Sequence, residues 1–188
     1  MTMIGFTVRD LERLPEIEGW RYEIIDGELF VSTQPHNDHQ ETWALTTTAL
    51  GTWNTMTGTG RIFGAPGIVF ADDDAVAPDL VWVSRARYPR VTTQEGKFHS
   101  APELVIEILS PGRANERRDR EIKLALYDRR GVEEYWLMDW ERRLIEVYRR
   151  ADTGLRLATT ITDIDTLTTP LLPGFSVAVS SLFPPLEG

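Results

Sequence analysis

Residues 102–123 run PELVIEILSPGRANERRDREIK, passing from an aliphatic strand into an Arg-rich helix with one acid out of place. Leu104 to Leu109 has the β-branched and aliphatic composition of a strand covered on both faces. Glu107 is the exception. A carboxylate inside such a strand is costly to desolvate unless a metal, a cation or hydrogen-bond donors offset the cost. Ser110-Pro111-Gly112 breaks the strand, and near Asn115 the chain resumes as a polar helix with Asp119 and Lys123 four residues apart on one face. Upstream, Ala77-Pro78-Asp79-Leu80-Val81-Trp82-Val83 places a second acid at the head of another apolar strand.

Around this centre, local signals predict the remaining elements. Thr7 to Leu14 reads as a short helix with a capping box at its start and Pro15 after its end. Tyr22–Ile25 and Glu28–Val31 form a hairpin through Asp26-Gly27. Glu23 and Glu28 are candidate site acids, although either also suits an exposed strand position. Pro35 to Asn54 reads as a long helix whose buried face is Trp43, Thr47, Leu50 and Trp53. Its early His36 and His39 lack a nearby third histidine, which argues against zinc. Arg61–Phe63 and Gly67–Phe70 read as strands. Asp72-Asp73-Asp74 lacks the alternating ligands and central glycine of a calcium loop and reads as a solvated turn. Ser84 to Ser100 is expected to be a polar excursion, a substrate-side loop or a dimer contact. The helix from Asn115 to Arg130 ends at Gly131 as a left-handed cap, and strands follow at 134–138, 144–148 and 155–160, with a further strand or turn in the tail. These elements predict one α/β domain over residues 1–188, a mixed sheet flanked by helices with an N-terminal β-hairpin.

At 188 residues, 41% hydrophobic and 26% charged, the composition is that of a folded globular domain. The sequence holds no apolar run of membrane-spanning length, and MTMIGFTVRDLERLPE lacks the regions of a signal peptide, so a cytoplasmic protein without a membrane partner is expected. With no cysteine, disulfides, thiolate nucleophiles and Cys-based zinc sites are excluded. A net charge of −9 argues against nucleic-acid binding by bulk electrostatics. Charge is unevenly spread, however. From Arg113 to Arg130 seven basic residues face four acids, which suits either a DNA-facing helix or a solvated helix with internal ion pairs.

The ordered set Pro78-Asp79, Glu107 in Glu-Ile-Leu-Ser, Asp119, Lys123, Tyr127 and Gly131-Val132-Glu133-Glu134-Tyr135-Trp136 resembles the Uma2 family (DUF820) of endonucleases within the PD-(D/E)XK nuclease superfamily. The resemblance extends from Tyr22 to Phe175. It implies a restriction-endonuclease-like core, a Mg²⁺ or Mn²⁺ cofactor, and DNA as substrate. It also implies a homodimer, since many nucleases of this superfamily act as dimers to cut both strands. The superfamily's parent pattern puts a lysine two residues after the second acid, where this chain has Leu109; in the Uma2 family it has moved to the following helix, which Lys123 fits. The resemblance further implies the backbone carbonyl of Ile108 as a third metal ligand, Glu23 as an extra acid near the metal, and His39 as a supporting or substrate-contacting group.

The chemistry agrees with that reading. Phosphodiester hydrolysis needs an activated water and neutralisation of charge on phosphate and leaving oxygen, both of which a divalent metal supplies. Asp79 and Glu107 give hard oxygen ligands if their strands are neighbours. Lys123 then orients or helps deprotonate the attacking water, provided burial lowers its pKa. Asp119 fixes Lys123 or joins the outer shell, and Arg113, Arg117, Arg118 and Arg120 are candidate DNA contacts. Against this, Asp79 also suits a turn cap and Asp119–Lys123 a surface ion pair. The alternatives are a non-catalytic nuclease-like module for DNA binding or interaction, or a metal-dependent hydrolase of another phosphoester.

Overall fold

In the computed structural model, which describes residues 5–186, the chain opens with a single helical turn, α1 (Val8–Leu11). The Asp10 carboxylate accepts the Thr7 N–H at 2.9 Å and the Thr7 hydroxyl at 2.7 Å, so the capping box forms. The helix is nevertheless shorter than expected, and residues 12–14 only turn toward Pro15. β1 (Arg21–Ile25) and β2 (Glu28–Ser32) then make the hairpin, with Ile24 opposite Leu29. Asp26 and Gly27 both have positive φ, 52° and 74°, the requirement of a type I′ turn whose twist matches the strands.

α2 (Asn37–Thr57) follows, capped by His36, whose Nδ1 accepts the Asp38 N–H. Its buried residues are His39, Thr42, Thr46, Leu50 and Trp53. The apolar spacing thus located Leu50 and Trp53, but the face is rotated toward Thr42 and Thr46, and Trp43 is only partly covered. β3 (Gly60–Gly64), β4 (Ile68–Ala71), β5 (Asp74–Val76) and β6 (Leu80–Ser84) come next. β5 was not expected. Asp74 belongs to this strand and is buried against Arg129 and Arg130, so the triple-Asp stretch is a solvated turn only at Asp72 and Asp73. The segment expected as a polar excursion holds α3 (Tyr88–Val91) and buries Val91 and Phe98.

β7 (Leu104–Ile108) is buried along its whole length. The basic helix begins at Arg113 and has three parts: α4 (Arg113–Arg117), a π-helical stretch over Arg118–Lys123, and α5 (Leu124–Arg130). Gly131 ends it with φ 85°, as the glycine predicts. β8 (Glu134–Asp139), β9 (Leu144–Ala151) and β10 (Gly154–Thr162) complete the large sheet, and β11 (Thr166–Thr168) and β12 (Ser176–Ala178) pair beside it.

The six-stranded sheet has the order β10-β9-β8-β7-β6-β3. β7 and β8 run parallel and the other pairs antiparallel, so the sheet is mixed. Side-chain alternation divides it into two faces. Leu80, Trp82, Leu104, Ile106, Trp136 and Met138 pack against Leu50 and Trp53 of α2 and against the C-terminal segment. Val81, Val83, Val105, Tyr135 and Leu137 pack against α5 and the antiparallel sheet β2-β1-β5-β4. Asp79 and Glu107 belong to this second face. The one-domain expectation also spans residues 1–4 and 187–188, which lie outside the described residues. No described helix is long and apolar enough to cross a membrane.

Candidate active site

The register of β6 and β7 brings the two strand acids together. Leu80 pairs with Ile106 and Val81 with Val105, and continuing that antiparallel ladder by one residue sets Asp79 opposite Glu107. The chain bends at Asp79, and the Asp79 carboxylate lies across the end of β7, where Oδ2 accepts the Ile108 N–H at 2.8 Å. His39 Nε2 of α2 lies 3.3 Å from the same oxygen. Arg21 Nη1 lies 3.4 Å from Oδ1.

Glu107 is 3% exposed. Its Oε1 accepts from Lys123 Nζ at 2.9 Å and from the Tyr127 hydroxyl at 2.6 Å. The second sheet contributes Glu23, whose Oε1 accepts the Ala77 N–H at 2.8 Å and lies 3.1 Å from Lys123 Nζ. Lys123, 2% exposed, is therefore wedged between the two sheets. Asp119 stands 3.9 Å from Lys123 but receives the Arg118 guanidinium in two hydrogen bonds, 2.8 and 3.2 Å. The π-helical stretch explains this arrangement. Its hydrogen bonds join residues five apart, so Arg118 and Lys123 both face inward with Asp119, which an ordinary helical turn would not do for all three; such local widening recurs at functional sites.

Four buried carboxylates (Glu23, Asp79, Glu107, Asp119) thus surround two buried permanent cations, Lys123 and Arg118. The consequence differs from group to group. Burial pushes the Glu107 carboxyl up to about 7; Lys123 opposes the shift, while Asp79, Asp119 and Glu23 add to it. Burial also acts to raise Asp79, yet the His39 contact, the Ile108 N–H and Lys123 together hold it below the usual carboxylate range. For Lys123, burial acts to lower the pKa, but Glu107, Glu23 and Asp119 overcome it and hold the ammonium above its ordinary range. The expected lowering by burial does not occur, because one ammonium serves three acids. Tyr127 is raised well above the phenol range by burial and by Glu107, so its hydroxyl stays a donor.

These groups open onto a cavity of about 330 Å³ lined by Glu23, Asp79, Glu107, Ile108, Lys123 and Arg118, with Trp20, Gln34 and Ser110 also lining it. Of the arginines expected to meet DNA, Arg113 and Arg117 are exposed, and Arg117 is loosely paired with Glu121 at 3.4 Å. Arg118 is turned inward onto Asp119. Arg120 is engaged by Glu146 and Asp139. Two neighbours of the site have no assigned role in it from sequence, although Tyr127 stands in the motif that resembles the family. Tyr127 carried a signal, being four residues beyond Lys123 on the same helical face; Arg21 carried a weaker one, two residues before Glu23 on the same side of its strand.

Among the described residues, no three His, Asp or Glu side chains form a ready-made metal cage. The donors present are hard oxygens on two neighbouring strands. Mg²⁺ needs only one or two carboxylates when waters and substrate phosphate complete its octahedron, so this donor set fits that ion. Ile108 lines the same cavity.

Comparison with known proteins agrees with the architecture. The family model Uma2, described as "Putative restriction endonuclease", matches residues 8–180. A crystal structure described as a "putative nuclease belonging to DUF820" from Anabaena variabilis superposes with a TM-score of 0.75 at 19% identity, covering 94% of this chain and 97% of the other. That likeness establishes the fold, a mixed sheet flanked by helices of the restriction-endonuclease-like kind. The type IIG restriction endonuclease BpuSI aligns with a TM-score of 0.38 at 13% identity, over 77% of this chain and 14% of its own. None of the curated proteins matches the chain significantly.

Proposed function

Since this chain belongs to the Uma2 family, we propose that it is a divalent-metal-dependent endonuclease that hydrolyses DNA phosphodiester bonds at the Asp79–Glu107 cavity. The observation that carries the proposal is the meeting of two strand acids, an extra acid from the hairpin and a buried lysine around one cavity. A structural ion pair needs one acid and one base; the surplus of carboxylate here calls for a further cation.

Asp79, Glu107 and the Ile108 carbonyl would hold Mg²⁺ or Mn²⁺. When bound, the ion supplies Lewis-acid stabilisation of the phosphate and a water of lowered pKa. The protein's own groups prepare that site. His39 and the Ile108 N–H fix the Asp79 carboxylate, and Tyr127 fixes one oxygen of Glu107, leaving Oε2 with no protein donor within hydrogen-bond distance among the described residues. Lys123 stays protonated and acts through its charge: its Nζ orients the attacking water and offsets phosphate charge rather than removing a proton. Arg118 adds a second positive group at the cavity wall. A homodimer would present two such cavities for the two strands.

The test is nicking of supercoiled plasmid in Mg²⁺ or Mn²⁺ against a chelator control. Wild type is expected to cut only with metal, and Asp79→Ala and Glu107→Ala to lose the cutting. Cutting that survives in Glu107→Ala would move the chemistry elsewhere. The second reading, a non-catalytic DNA-binding or interaction module, is favoured by one observation: Lys123 already bridges Glu107 and Glu23. Absence of both nicking and calorimetric metal binding in the wild type would select it.

A further inference from the structure

Of the six tryptophans, Trp20 is the most exposed, at 46%, and it lines the same cavity as Asp79, Glu107 and Lys123. It sits at the end of a turn closed by its own N–H on the Ile17 carbonyl at 3.0 Å, one residue before β1, the strand that delivers Glu23. Tyr22 packs against it at a tilt of 57° with ring centroids 6.2 Å apart. Backbone and neighbour thus hold the indole without covering it. Near Ser110, which also lines the cavity, Trp140 donates its indole N–H to the Leu109 carbonyl at 3.0 Å and stacks on His36, with centroids 5.0 Å apart and the rings within 8° of parallel. An interior that would meet phosphate through a bound cation is therefore bordered at Trp20 by aromatic surface suited to a base.

The charge distribution points the same way. Duplex recognition leans on many phosphate contacts, but net charge is −9, and Arg118 and Arg120 of the basic helix are committed to acids of this chain. Stacking on an aromatic ring needs no net positive charge and tolerates any base, but the base must be unpaired. We propose that Trp20 is the platform on which an unpaired base beside the scissile phosphate stacks, so that the favoured substrate is single-stranded or locally unpaired DNA. This inference rests on the nuclease reading for its site and names the substrate class of that site.

Binding measured apart from cutting tests it. Fluorescence anisotropy of a labelled oligodeoxythymidine and of a blunt duplex of equal length, with Ca²⁺ in place of Mg²⁺, is compared for wild type, Trp20→Ala and Trp20→Phe. Wild type should bind the single strand more tightly than the duplex. Trp20→Ala should weaken the single-strand Kd by roughly tenfold or more, Trp20→Phe should keep most of the affinity, and duplex binding should not change. The single strand should also quench tryptophan emission of the wild type and leave that of Trp20→Phe unquenched. An unchanged Tm in both variants, expected for an exposed side chain, keeps the loss a binding effect. Equal affinity for the two DNA forms, no binding to either, or an unaffected Trp20→Ala overturns the inference. Failure of the nuclease reading looks different: wild type nicks nothing in Mg²⁺ or Mn²⁺, yet Trp20-dependent single-strand binding persists and belongs to a binding module.

Discussion

The two ends of α5 hold two buried acid clusters of opposite character. At its C-terminal end, Arg129 and Arg130 reach back to Asp74 of β5, whose carboxylate also accepts the Asp26 N–H at 2.8 Å; Arg129 Nη2 stands 3.0 Å and Arg130 Nη2 2.5 Å from it. At the other end, Lys123 meets Glu107 and Glu23 with Asp119 nearby. Both clusters tie the helix to the small antiparallel sheet, and both bury charge. In the first, two guanidiniums and a backbone donor serve one buried acid, Arg129 also reaching the exposed Asp26 carboxylate at 2.8 Å, and burial notwithstanding they hold Asp74 below the usual carboxylate range. In the second, acids outnumber cations and Glu107 is pushed up to about 7. A buried acid with donors to spare is a fastening. A buried acid short of positive charge costs stability and is kept where chemistry needs it.

The largest effect that separates the clusters should be on turnover. Asp79→Ala or Glu107→Ala should lower metal-dependent cutting by about a hundredfold or more, whereas Asp74→Asn should leave cutting per folded molecule unchanged. Equal losses from Asp74→Asn and Glu107→Ala, measured on samples whose folded fraction is known from circular dichroism, would erase the distinction.

Stability should separate them next. Lys123→Met strands three carboxylates around a lost cation, and breaking a buried pair in this way costs about 3–5 kcal/mol. Asp74→Asn leaves two arginines that are partly solvated, so its cost is smaller, about 1–3 kcal/mol. Glu107→Gln removes a surplus charge and should be neutral or stabilising while abolishing activity, the trade expected where function holds a strained group in place. Urea midpoints of the three variants check the order. A Glu107→Gln protein less stable than Asp74→Asn would make Glu107 a structural acid.

The difference between the clusters also explains what the sequence could disclose. Glu107 was legible because a lone acid in Leu-Val-Ile-Glu-Ile-Leu contradicts its own strand, and Asp79 because it follows proline at the head of another. The Asp26-Gly27 hairpin and the Gly131 cap were legible because positive φ at such positions is a local demand. Asp74 was not. Three consecutive aspartates read as a turn, and only partners 55 and 56 residues away make the third a buried, paired acid. Nor was the π-helical stretch, since nothing in Arg118–Lys123 demands it locally; contacts from other elements, such as the Tyr135 hydroxyl on the Asp119 carbonyl at 3.0 Å, accompany it. Local chemistry reveals an acid that conflicts with its surroundings, and a well-satisfied acid is hidden by its distant partners.

The smallest effect concerns acid. Asp74 has a folded-state pKa below its ordinary value of 3.8, so the unfolded chain takes up this proton first as pH falls. The stability this group contributes is therefore complete above the unfolded value and is lost as pH drops through the folded one. Asn cannot titrate. The Tm gap between wild type and Asp74→Asn should stay constant from neutral pH down to about 5 and close progressively below about 4. Wild-type loss in this range includes other carboxylates, among them Asp10 and Asp165, which are also held low, so the gap isolates Asp74. A gap that stayed open at pH 2 would mean that Asp74 holds its arginines by shape and hydrogen bonding without its charge, and the contrast with Glu107 would then be one of packing.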